Sequence, residues 1–151
     1  TFDIHMKTAL LLTLLAGTLP LGRADDQGCF RLSKVVDPDT PGAVEMRDRG
    51  GNTLNTVWVD SAPLLSQSDI ARASVVDADP IRVRFEFTET GRRKFGEITK
   101  EFTGKRIAIV AEGRLLSAPR VNEQISGPAI ETQWDRGRDD ALRFARLFER
   151  K

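Results

Sequence analysis

Residues 81–110 change hydrophobic period twice, and this restricts the chain to few arrangements. Ile81, Val83, Phe85 and Phe87 alternate with Arg82, Arg84, Glu86 and Thr88. That period of two describes a strand with one buried face. The pattern then shifts: Phe95, Ile98 and Phe102 fall on one stripe of a helix, with Thr88 placed to cap its start and Gly104 to end it. Ile107-Ala108-Ile109-Val110 follows as an uninterrupted apolar run, the mark of a strand covered on both faces. The segment therefore predicts strand, helix, strand.

The flanking residues extend this plan. Phe30, Leu32 and Val35 suit a short strand, Asp37-Pro38-Asp39-Thr40-Pro41-Gly42 a turn, and Gly50-Gly51-Asn52 a second break. Val57-Trp58-Val59 reads as a short strand ending before Pro63. Ser66-x-x-Asp69 resembles a capping box and predicts a short helix through Ala73. Glu112-Gly113 is a tight turn, with Arg114-Leu115-Leu116 returning as hairpin partner. Ile130, Thr132 and Trp134 alternate in a last strand, and Asp135 is placed to cap a final helix with Asp139 and Asp140 in its first turn. Strands and helices mixed with hairpins indicate an α+β fold: a mainly antiparallel sheet with helices packed on one face.

The N-terminal residues read as targeting sequence. Thr1–His5 resembles a cloning remnant, and residues 6–24 a cleaved signal peptide. Lys7 supplies the positive start, Ala9–Ala16 the apolar core and Gly22-Arg23-Ala24 the small-residue cut. That core is too short for a membrane span, which needs about 20 apolar residues. The expected mature protein is one domain, residues 25–151, without a membrane span and located in the periplasm. The full chain has a formal net charge of +1; residues 1–24 hold two basic residues, Lys7 and Arg23, and one acidic residue, Asp3, so the expected mature charge is zero. Nucleic acid is excluded as a partner, because its phosphates select a clear basic excess.

Most catalytic chemistries lack their parts. The chain has one histidine, His5, and one cysteine, Cys29. Beyond residue 24 no histidine triad, histidine zinc site or thiolate cage is available. Gly104-Lys105 is not a phosphate loop, since Thr99 and Arg106 stand where that motif needs Gly and Ser or Thr. The acids Asp135, Asp139 and Asp140 suit a helix start, and Glu112 suits a solvated hairpin tip. Cys29 has no base to activate it; as a lone thiol it is free or joined to another chain. The expectation is a protein that is not an enzyme and needs no metal or cofactor. Its recognition surface is expected in the loops from Glu112 to Gly127, where Glu112, Arg114, Arg120, Asn122, Glu123 and Gln124 gather polar groups, together with Trp134.

Residues 56–148 also carry an ordered series of motifs. Ser68-Asp69-Ile70-Ala71-Arg72-Ala73 precedes Val83-x-Phe85-x-Phe87-Thr88, then Thr90-Gly91-x-x-Lys94-Phe95-x-x-Ile98-Thr99. Gly104-Lys105-Arg106-Ile107-Ala108-Ile109-Val110 leads to Gly113-x-Leu115-Leu116-Ser117-Ala118-Pro119, Ile125-Ser126-Gly127 and Ala141-x-x-x-Ala145. The series resembles the head of the first periplasmic region of SecD, an accessory subunit of the bacterial protein-export translocase. The family usually shows Asp-Gly where this chain has Glu112-Gly113, and Phe-Thr near Trp134-Asp135-Arg136-Gly137-Arg138. Its membrane spans and base domain lie outside the likeness. The resemblance implies the head fold and contact with emerging preproteins.

Two functions follow as expectations. The first is a dedicated periplasmic binder, an inhibitor or immunity-type protein that occludes a partner such as a cell-wall-targeting toxin. The alternative is an accessory or chaperone for exported polypeptides near the translocase. N-terminal sequencing of protein from the native host is expected to start at or near Asp25; a chain that starts at Met6 in the cytosolic fraction contradicts the leader reading.

Overall fold

The computed structural model describes residues 28–48 and 55–149. The leader, the remnant and the Gly50-Gly51-Asn52 break lie outside the described residues. Chain order is β1 (Phe30–Val36), β2 (Ala43–Asp48), β3 (Asn55–Ser66), β4 (Ile70–Val76), β5 (Arg82–Phe87), α1 (Glu89–Glu101), β6 (Ile107–Ala111), β7 (Arg114–Ser117), β8 (Ala129–Gln133) and α2 (Gly137–Ala145). The α+β class with antiparallel strands holds, but the strands form two sheets: β2-β3-β1-β6-β7 and β4-β5-β8, each pairing antiparallel.

The strand-helix-strand segment forms as its periods require. Val83, Phe85 and Phe87 of β5 are buried, while Arg82 and Arg84 point out toward Glu131 of β8. Thr88 caps α1, its hydroxyl oxygen accepting from the Gly91 amide at 3.0 Å. Gly91 admits close backbone approach: a Cβ there would stand 2.2 Å from the Asp69 carbonyl oxygen. Every residue of β6 is buried. Ile107, Ile109 and Ala111 face the main core, and Ala108 and Val110 face a second cluster with Met46, Val57, Val59 and Leu115. The edge strands β2 and β7 lie close together, so the five-stranded sheet curls around that second cluster. Register shifts in β1 against β3, and in β6 against β7, supply the extra twist.

The main core is aromatic. Phe85 stands with ring centroids 4.5 Å from Phe30 of the other sheet, 6.1 Å from Phe144 of α2 and 5.9 Å from Phe148 in the 3-10 turn after α2. Phe87 meets Phe95 of α1 at 4.7 Å. Phe85 therefore joins both sheets and the C-terminal helix.

Four local expectations need correction. The helix expected from Ser66 through Ala73 is one 3-10 turn, Gln67–Asp69, followed by β4. The capping bond does form, Ser66 N–H donating to Asp69 at 3.1 Å. Yet the Asp69 carbonyl accepts from the Thr88 amide at 2.9 Å, and Ile70 and Ala73 are drawn into the ladder with β5. The strand at Val57–Val59 is the middle of the twelve-residue β3, which runs through Pro63. Pro63 sits opposite Ser33, where the β1 register shifts and a missing amide is tolerated. β2 was not anticipated, having only one buried apolar residue, Met46, to signal it. Asp135 does not cap α2: the cap position is Arg136, without a side-chain bond, and Asp135 pairs with Arg114 at 2.7 Å.

Truncating Phe85 to Ala is expected to cost about 3–5 kcal/mol, a large share of the roughly 5–15 kcal/mol that holds a domain folded. Chemical denaturation measures it; a midpoint unchanged from the parent shows that Phe85 does not join the layers.

Candidate protein-binding surface

The loops expected to form the recognition surface divide into an inward group and an outward group. The hairpin tip uses left-handed backbone at Glu112 (φ 49°) and Gly113 (φ 73°). The Glu112 amide donates to the Cys29 carbonyl at 2.9 Å. Its carboxylate accepts two bonds from the Arg143 guanidinium, both 2.9 Å, in a bidentate pair that ties hairpin to α2. Arg143 also reaches Asp140 at 3.0 Å, and Asp140 accepts from the Trp134 indole N–H at 3.0 Å. The hydrogen bonds from Arg143 hold the Glu112 carboxyl below the usual range despite partial burial. Burial pushes Asp140 up, but bonds from Arg143 and Trp134 outweigh it and lower it.

Arg114 and Trp134 complete this inward group. The Arg114 guanidinium lies 5.2 Å from the Trp134 ring centroid and bonds Asp135. Two of its nitrogens, Nε and Nη2, are buried without a hydrogen-bond partner, which leaves the indole face as their neighbour. Trp134 is 3 % exposed and stacks on Phe144 at 4.6 Å, so it belongs to the core and offers no face to a partner. Beside the hairpin, a cleft of about 320 Å³ is lined by Cys29, Arg31, Val44, Met46 and Glu112. Arg31 is buried there, donating to Ser33 at 3.2 Å and to the carbonyls of Asp60 and Ser61 at 3.1 and 3.0 Å. Burial pushes the Cys29 thiol up to about 11, so it stays protonated at neutral pH and is a poor nucleophile.

The outward group lies on a strap, residues 118–128, laid along α1. The Val121 carbonyl accepts from Gly104 at 2.6 Å, and the Val121 amide donates to Lys105 at 2.8 Å. The Ile125 amide donates to the buried Thr99 hydroxyl at 2.9 Å, and Gln124 Nε2 donates to the Gly96 carbonyl at 3.2 Å. Arg92 Nε donates to the Ser126 carbonyl at 3.1 Å. The loop is thus fixed at several points, with Arg120, Asn122 and Glu123 exposed. Arg120 Nη1 donates to the Gly104 carbonyl. Of the nominated residues, Glu112, Arg114, Gln124 and Trp134 hold the surface together, and Arg120, Asn122 and Glu123 face outward from it. The sequence signal that was available for the strap is Thr99, a polar residue on the stripe that also carries Phe95 and Phe102.

A family model described as "SecDF, P1 head subdomain" matches residues 43–149. The protein translocase subunit SecD of Acidaminococcus fermentans is 34 % identical over 132 residues, covering 82 % of this chain and 29 % of that protein. SecD of Rickettsia prowazekii is 48 % identical over 67 residues, covering 42 % of this chain and 13 % of that protein. The chain thus spans less than a third of each of these relatives. Among solved structures, a membrane component SecDF that enhances protein export aligns with TM-score 0.62 and 24 % identity, over 79 % of this chain and 60 % of that one. SecDF in a super-membrane-facing form aligns with TM-score 0.62 and 25 % identity, over 79 % of this chain and 18 % of that one.

The Glu112–Arg143 latch predicts a pH dependence. Glu112 has a folded pKa below its unfolded value, so its contribution is complete above the ordinary Glu range and is lost as pH falls through the lowered value. The melting temperature of Glu112→Gln is expected to lie below the parent at neutral pH and to converge on it in acid. Parallel curves at all pH values contradict the latch.

Proposed function

The chain belongs to the SecDF P1 head subdomain family, and from that premise we propose that it is a non-catalytic domain that holds exported polypeptides outside the cytoplasm. The family match over residues 43–149 carries the reading. The surface supports it physically. A loop pinned to a rigid helix presents Arg120, Asn122 and Glu123 without having to be ordered on contact, which removes an entropic cost of binding. Polar side chains with unused donors and acceptors suit weak contact with many chains better than tight capture of one.

The relatives described above are translocase subunits, and none of them suggests the inhibitor role. No helix among the described residues is long and apolar enough to cross a membrane. In this reading the domain meets polypeptide as it emerges, Arg120, Asn122 and Glu123 forming the contact while the Glu112–Arg143 latch keeps the hairpin and α2 in register behind it.

A photo-crosslinking residue placed at Asn122 tests the proposal. With a permanently unfolded polypeptide of neutral net charge, crosslinks are expected that fade when the same polypeptide is allowed to fold. Crosslinking to a single folded periplasmic protein with fixed stoichiometry supports the inhibitor reading instead, and no crosslink to unfolded chain overturns the proposal.

A further inference from the structure

The turn after α1 gathers charges that are distant in sequence. Lys34 near the end of β1 and Lys105 before β6 both stand over the Phe102 ring, their ammonium nitrogens 5.7 and 5.6 Å from its centroid. Arg106 bridges to Arg120 across the backbone, and the Arg106 carbonyl accepts from the Val35 amide. Lys34, Lys105, Arg106 and Arg120 therefore form one cluster. None of them takes part in the ion pairs among the described residues, although Arg82, Arg84, Arg114, Arg138 and Arg143 all do. Four cations from separate segments thus meet outside the ion pairs of the described residues, next to the outward part of the strap.

The cations are also held in place. Arg106 Nε donates to the Ala118 carbonyl at 2.8 Å, and Arg120 Nη1 donates to the Gly104 carbonyl. One N–H of each guanidinium is fixed on backbone, so the remaining donors keep set directions and suit the paired oxygens of a carboxylate. Both lysines rest on one aromatic face, which holds their ammonium groups beside each other over Phe102.

We propose that this cluster docks acidic stretches of polypeptide, a proposal that rests on the polypeptide-holding function above. A lipid surface is the weaker match. The exposed large apolar residues among the described ones are Val44, Ile125 and Leu147, none of them in the cluster. A basic patch without an apolar insertion lacks the second signal that stable membrane attachment requires.

The test uses the whole chain with a fluorescent alternating Glu-Gly peptide, its Gln-Gly counterpart, and vesicles of phosphatidylglycerol in phosphatidylcholine. The Glu-Gly peptide is expected to bind at least about tenfold more tightly than the Gln-Gly peptide, with the difference shrinking as salt rises and screens exposed charges. Lys105→Gln with Arg120→Gln should remove most of that difference. Arg93→Gln, an exposed residue elsewhere on α1, should leave it within about twofold. If the double variant fails to fold, Arg120→Gln alone decides. Equal affinity for the two peptides, retention of the difference in Arg120→Gln, or binding to anionic vesicles without binding to the Glu-Gly peptide overturns the proposal. The neutral-chain crosslinking at Asn122 is a separate readout: its persistence beside a failed acidic-peptide test removes the cluster while keeping the polypeptide-holding function.

Discussion

Phe85 is the point through which the layers of this domain are joined. Its ring meets Phe30 from the five-stranded sheet, Phe144 from α2 and Phe148 just beyond. Edge and tilted aromatic contacts of this kind each add about 0.5–1.5 kcal/mol beyond the area they bury. The sheet β4-β5-β8 has ion pairs on its outer side in place of a second core, so its three strands depend on a single apolar face. Its stability comes from the inner face, where β5 supplies Val83, Phe85 and Phe87 to the shared core.

The five-stranded sheet solves a different problem. β6 is apolar on both faces, so it needs cover on each. One face uses the helices and the smaller sheet. The other uses the sheet itself, curled until β2 and β7 approach around Met46, Val59, Val110 and Leu115. Arg31 lies near the open end of this curl, and its charge is tolerated because backbone carbonyls and Ser33 surround the guanidinium.

Electrostatics then sets which surfaces are spent on folding and which are left for a partner. Glu112, Arg143, Asp140 and Trp134 form a connected network between the hairpin and α2, and Arg114 stacks on the same indole. Isolated exposed ion pairs contribute little, but a bidentate pair inside a network fixes geometry. Across the domain, the strap satisfies the carbonyls and amides near the end of α1, and Lys34, Lys105, Arg106 and Arg120 stand outside the ion pairs of the described residues. The hairpin side is thus internally neutralised, and the turn after α1 is not.

The order β5, α1, β6 was readable from the chain because side-chain period and capping are local properties. Val83, Phe85 and Phe87 have one possible inward face, Thr88 can reach the Gly91 amide only as a helix cap, and residues 107–111 cannot leave a face in water. The motif series carried the resemblance to the family because it is a run of particular residues in a fixed order along the chain. Residues 66–76 were decided by tertiary structure: the Ser66–Asp69 capping bond forms in either a helix or a single turn, and pairing of Ile70 and Ala73 with β5 selects the turn. The split into two sheets, the burial of Trp134 and the pairing of Glu112 with Arg143 likewise rest on contacts between segments far apart in sequence. So does the meeting of Lys34 with Lys105 over Phe102. Sequence period says which face of a segment is buried, whereas the partner that buries it, or the charge left without one, is set only when distant strands pair.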